Sequence, residues 1–167
     1  VRRAYQVDSL HMQIVDTSLS RRISLLQPNT LIRKGDLFSL DKLKEERQRI
    51  ETALRDSGYY FFSGNNLVYF ADTVSFTNEK KVNLLLKLKN DLPSQNLKPQ
   101  TISTVNVYPN YQLNIGRRRQ MDSTQLKGIN LYCTECPLKL NTLTEAIVVD
   151  PGTIYQPSTH RKTLERL

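Results

Sequence analysis

The chain has 167 residues, 38% of them hydrophobic and 24% charged, enough for one ordinary domain or two small ones with modest cores. Its 24 basic and 16 acidic residues leave a formal charge of +8, which suits nucleic acid, an anionic membrane surface or an acidic polypeptide without choosing among them. No run of about 18 apolar residues is present, so no segment reads as a membrane-spanning helix, and the start at Val1 carries no cleavable signal.

In chain order, Ala4 to Val15 sets Tyr5, Val7, Met12 and Ile14 among polar residues, which predicts a first strand. Asp16, Thr17 and Ser18 offer helix caps, and Leu19, Ile23 and Leu26 recur at helical spacing before Pro28. Ser39 and Asp41 open a second helix that Gly58 closes, with Leu40, Leu43, Ile50 and Leu54 along one stripe and Lys44, Glu45, Glu46, Gln48 and Arg55 expected to face water. Leu67–Ala71 and the alternating Val82, Leu84, Leu86 and Leu88 predict two strands joined by an extended loop from Asp72 to Lys81. The first module therefore reads strand, helix, helix, strand, strand.

Asp91 to Gln100, with two prolines, reads as a linker. Beyond it, Ile102, Val105 and Val107 predict a strand, and Leu113 to Met121 reads as an inserted loop or hairpin ahead of Gly128 to Tyr132. Thr142 to Glu145 has the pattern of a capping box for a short helix, and Gln156 and Pro157 open another.

A phrase from the first module returns 117 residues later. Gly35-Asp36-Leu37-Phe38-Ser39-Leu40-Asp41, running on to Arg49-Ile50, is echoed by Gly152-Thr153-Ile154-Tyr155-Gln156-Pro157-Ser158, running on to Arg166-Leu167. That period is too long for a solenoid and reads as two small tandem domains: 1–90, a linker at 91–100, and 101–167, incomplete because no closing strands follow. The second copy stops inside its helix, so the sequence reads as a piece of a longer protein. Gly35 and Gly152 are expected to serve backbone geometry ahead of a helix rather than to bind a ligand.

The order of elements, with Gly35 to Phe38, Arg47 to Ile50 and Leu54 through Gly58-Tyr59-Tyr60-Phe61-Phe62, resembles the polypeptide-transport-associated (POTRA) domains that precede the outer-membrane barrel in the BamA-type assembly-factor family. Val149 to Tyr155 is similar to the approach to the second helix in the same family. The resemblance covers nearly all of 1–90 and the first half of a second copy. It implies an α+β fold of POTRA-like β-α-α-β-β modules, each a three-stranded mixed sheet with two helices on one face. It also implies a periplasmic portion of an outer-membrane protein. The expected partners are unfolded outer-membrane proteins, assembly-complex subunits or a barrel of the same chain. A polypeptide secretion transporter built from the same domains is the nearest competitor.

No nucleophile, base and oxyanion donor are proposed together by any stretch, and the sequence holds no G-x-S-x-G, phosphate loop or H-E-x-x-H, so neither catalysis nor a cofactor is expected. Cys133 and Cys136 form a lone C-x-x-C followed by Pro137; with His11 and His160 remote, the pair reads as a local disulfide or two free thiols rather than a metal or redox site. Asp41, Glu45 and Glu46 read as capping and surface charge, and Tyr59 to Phe62 as partial core packing. Arg117, Arg118 and Arg119 form a candidate basic contact loop for lipid headgroups or an acidic partner. A basic nucleic-acid-binding module is disfavoured by the lack of a Gly-x-x-Gly clamp or an aromatic RNP-type strand.

The favoured activity is β-augmentation, in which an exposed sheet edge accepts an extended chain. The family resemblance places the second strand of the motif at an edge and the last at the centre. That makes Leu67, Val68, Tyr69, Phe70, Ala71 and Asp72 the candidate peptide-docking strand.

Overall fold

The computed structural model describes residues 5–73, 80–109, 123–133 and 139–167. It divides into two compact units, one made of Val1–Arg55 with Tyr59–Lys98 and the other of Asp56–Gly58 with Pro99–Leu167.

In the first unit, strand β1 (Gln6–Gln13) is followed by helices α1 (Thr17–Leu26) and α2 (Leu40–Asp56) and by strands β2 (Leu67–Asp72) and β3 (Lys81–Leu88). The sheet order is β1-β3-β2, with β1 parallel and β2 antiparallel to the central β3. The period-two pattern of β3 buries Val82, Leu84 and Leu86, and both helices cover that one face through Leu19, Ile23, Leu43, Ile50 and Leu54. β1 explains why its own apolar residues change parity. A register shift between Val7 and Ser9 makes Asp8 a bulge, so Val7 sits opposite Val82 while Leu10 and Met12 sit opposite Leu84 and Leu86.

The helix ends follow their sequence signals. Asp16 caps α1 by accepting from the Leu19 N–H at 2.8 Å. Gly58, at φ +99°, closes α2, and the Tyr59 N–H returns to the Leu54 carbonyl at 3.1 Å while both side chains enter the core. Tyr59 and Phe62 are buried, whereas Tyr60 and Phe61 stay exposed and pack edge to face at 4.9 Å.

Two expectations for α2 need correction. Leu40, at the first position of the helix, is 65% exposed, and the buried stripe begins one turn later at Leu43. Glu46 does not face water: it is 1% exposed, and its carboxylate accepts from the Thr30 hydroxyl (2.9 Å), the Leu31 N–H (3.0 Å) and Arg49 (2.7 and 2.8 Å). A buried carboxylate is tolerable only with such a full set of donors. Arg49 also donates to the Leu26 carbonyl, so the pair ties α2 to the end of α1 and to the first residues of the connector between the helices.

The second unit has strands β4 (Val105–Val107), β5 (Ser123–Leu126) and β6 (Ile129–Tyr132), then helices α3 (Leu140–Ala146) and α4 (Pro157–Arg166). Its sheet order, β4-β6-β5, repeats the first-last-middle arrangement, with β4 parallel and β5 antiparallel to β6. The three strands come before the helices here: β5 and β6 form a hairpin through Lys127 and Gly128, both at positive φ, and Ile129 and Leu131 pack against Leu143 and Ile147. The β5–β6 hairpin supplies two of the three strands of this sheet. The expected capping box is not formed. α3 begins at Leu140, and Thr144 bonds back to the Asn141 carbonyl at 3.0 Å, since the helix must start earlier to turn Leu143 and Ile147 inward.

The internal repeat is reproduced bond for bond. In the first unit Gly35 N–H donates to the Val7 carbonyl, Val7 N–H to Asp36 and Phe38 N–H to Tyr5, at 2.7, 2.9 and 2.8 Å. In the second, Gly152 N–H donates to Ile102, Ile102 N–H to Thr153 and Tyr155 N–H to Gln100, at 2.6, 2.9 and 3.0 Å. Both glycines have positive φ, +90° and +81°, and a Cβ at either would meet no atom within 4 Å. Each is thus required for its backbone turn and not for close packing.

Candidate peptide-docking edge strand

β2 lies at an edge of the first sheet and pairs only with β3, from Leu67 opposite Leu88 to Asp72 opposite Asn83. Alternation divides its side chains. Leu67 is fully buried, and Tyr69 packs against both halves of the core under the helices. Val68 and Phe70 lie on the open face, where Val68 is half-buried and Phe70 is 54% exposed. Ala71 and Asp72 are exposed.

On the open face, Val68 and Phe70 of β2 are apolar and a cation of β3 stands beside them. Phe70 is opposite Leu85, and Val68 is opposite Lys87, whose Nζ reaches over the Phe70 ring at 5.4 Å from the centroid. On the helix face, the Arg47 guanidinium donates to the Leu67 carbonyl at 3.4 Å. Burial, and then the charge of Glu46, raise the Tyr69 hydroxyl above its ordinary range, against the pull of Arg47 and Arg49. That hydroxyl has no hydrogen-bond partner among the described residues, and the Tyr69 ring is held by its packing against the core.

Compared as docking surfaces, the two edges of this sheet differ. β1 carries the Asp8 bulge, with Lys34 3.3 Å from the Asp8 carboxylate, and its first residues are paired by the segment 35–38 through three backbone bonds. Bulges, charges and covering segments are the usual means of blunting an edge. β2 has an unbroken register, no proline and no covering strand, and no backbone hydrogen bond reaches the outer side of Val68 to Ala71 among the described residues.

An antiparallel edge turns the N–H and C=O of alternate residues outward, and with the Leu67 N–H bonded to the Gly64 carbonyl and its C=O to Arg47, β2 offers roughly four bonds, from Tyr69 and Ala71. Each contributes about 0.5–1.5 kcal/mol net, while ordering a free chain costs about 1–2 kcal/mol per residue. The two nearly cancel. Backbone pairing alone therefore adds little net affinity at an open edge, whatever is placed against it.

Of the other candidate residues, Arg117, Arg118, Arg119 and Cys136 lie outside the described residues, and Cys133, just after β6, is disulfide-bonded. Sequence reasoning missed Lys87 and Arg47 as neighbours of the edge; the signal for Lys87 was its place on the polar side of an alternating strand. Among the described residues no group of three His, Cys, Asp or Glu side chains is placed to hold a metal, and no helix is long and apolar enough to cross a membrane. A groove of about 460 Å³ in the second unit, lined by Ile102, Val149, Asp150, Ile154 and Thr159 among others, contains one carboxylate and no nucleophile–base pair.

Residues 14–90 match the family model for POTRA, described as surface antigen variable number repeat. Among solved structures, the chain is similar to the crystal structure of Haemophilus influenzae BamA POTRA3-5, with a TM-score of 0.55 and 13% identity over 97% of this chain and 49% of that one. The chain thus spans about half the length of that structure, and the likeness concerns the fold. No curated protein matches the chain.

Proposed function

We propose that the chain, whose residues 14–90 match the POTRA family model, is the periplasmic tandem-POTRA region of an outer-membrane protein assembly or translocation factor. Its modules are residues 1–90 and 101–167, joined by 91–100. It acts without catalysis, as a scaffold that holds unfolded outer-membrane clients or partner subunits by β-augmentation at β2. The observation that carries this reading is the contrast between the two edges, β1 blunted by a bulge and a paired segment, β2 continuous and open. The oxidised state of Cys133 accords with an oxidising compartment.

Site-specific photo-cross-linking tests it. A photoreactive residue at Ala71 is expected to capture an unfolded outer-membrane β-barrel polypeptide, while the same residue at Val15, 94% exposed and outside any strand, captures little. Equal capture at both positions would leave the modules as spacers.

A further inference from the structure

The backbone terms at β2 nearly cancel, so what the edge selects depends on the side chains that flank it. Two cations do so, one on each face. Lys87 projects from the central strand across the open face until its ammonium stands over Phe70, at the edge itself. Arg47 reaches from α2 to the Leu67 carbonyl, on the helix-facing side. Neither has an ion-pair partner among the described residues. The nearby acids of α2 are already engaged: Glu46 by Arg49, Thr30 and Leu31, and Glu51 by the Gly64 N–H at 2.7 Å and Arg55 at 3.3 Å. Asp72, at the far end, is the single acidic residue of β2.

We infer that the segment taken at this edge is acidic, an extended chain with carboxylates within reach of Lys87 on one face and Arg47 on the other. The inference rests on the edge-docking reading above and names the class of segment it selects. An added strand lies about 4.8 Å beyond β2, and its side chains stand about 5 Å from their cross-strand neighbours on the same face. A glutamate opposite Phe70 or Val68 therefore comes within reach of the Lys87 ammonium, and its aliphatic stem covers the exposed Phe70 ring. A lysine in the same place would meet a like charge. Alternation puts the next carboxylate but one on the same face, so an acidic strand engages both cations only when acids occupy both parities.

The test uses two synthetic extended peptides with the same valine and threonine framework, one bearing glutamate and the other lysine at the variable positions. Backbone amide shifts of the labelled 167-residue chain are followed at low salt. The glutamate peptide is expected to bind at Val68 to Ala71 about three- to tenfold more tightly, as two exposed ion pairs allow. Lys87→Gln is expected to remove most of that preference, added salt to shrink it, and Lys34→Gln, which alters a pair with Asp8 on β1 at the opposite edge of the sheet, to leave it unchanged. Equal binding of both peptides at β2 would overturn the inference and leave edge docking standing. Loss of preference in Lys34→Gln to the same degree would also overturn it, by showing an effect of the overall charge of +8. Shifts from neither peptide at β2 would overturn the docking reading itself.

Discussion

Glu46 and Thr163 occupy the same place in the two copies of the repeat: each is buried on the second helix of its unit and accepts the backbone N–H of the residue fifteen positions earlier, Leu31 at 3.0 Å and Val148 at 3.1 Å. Both fasten α2 or α4 to the connector that precedes it. They differ in strength, because Glu46 also anchors Arg49 and Thr30. Glu46→Ala is expected to cost about 2–4 kcal/mol in urea unfolding, since it leaves the Leu31 N–H without its acceptor and the partly exposed Arg49 guanidinium with only the Leu26 carbonyl. Thr163→Ala is expected to cost about 1–2 kcal/mol. Equal small losses at both sites would show that Glu46 is not a keystone.

The two glycines make a second matched pair. At φ +90° and +81° with open space around each missing Cβ, Gly35→Ala and Gly152→Ala lose only backbone freedom, expected at about 1–2 kcal/mol each. Asparagine, which tolerates positive φ, is expected to cost less than alanine at both. The comparison is read from midpoints of thermal or urea unfolding.

Acid stability carries a third prediction. The Lys42 ammonium at 2.7 Å, then the Arg33 backbone N–H at 2.8 Å, hold the Asp36 carboxyl below its ordinary value of 3.8. A pKa depressed in the folded state gives stability that is complete above the unfolded value and fades as pH falls through the folded one. The Asp36 carboxyl carbon is therefore expected to titrate below 3.8, and Lys42→Met to bring the midpoint back up. Asp36→Asn should lower stability at neutral pH and flatten its fall at acid pH. A midpoint at or above the ordinary value would refute the pairing.

Much of the first unit was legible because its signals are local. Asp16, the run from Leu19 to Leu26, Gly58 and the alternation of Val82, Leu84 and Leu86 each fix one element by cap, period or turn. The bulge at Asp8 was visible only as an unexplained change of parity between Val7 and Met12, since a bulge is defined by the partner strand. Glu46 was misread by residue type although its position gave it away: Leu43, Glu46, Ile50 and Leu54 share one helical face, and a carboxylate on that stripe has to be buried with donors. In the second unit, Ser123 to Leu126 is too polar to announce a strand, and its pairing with β6 is a tertiary fact. Of the edge, the strand itself was readable, but not the reach of Lys87 and Arg47 toward it, which depends on how α2 and β3 pack around β2.

The central claim is tested most directly by titrating the isotopically labelled chain with an unfolded outer-membrane-protein peptide and following backbone amide shifts. Shifts concentrated along Leu67 to Asp72, with β1 from Gln6 to Gln13 little changed, are predicted. Shifts centred on β1, or none at high peptide concentration, would contradict docking at the β2 edge.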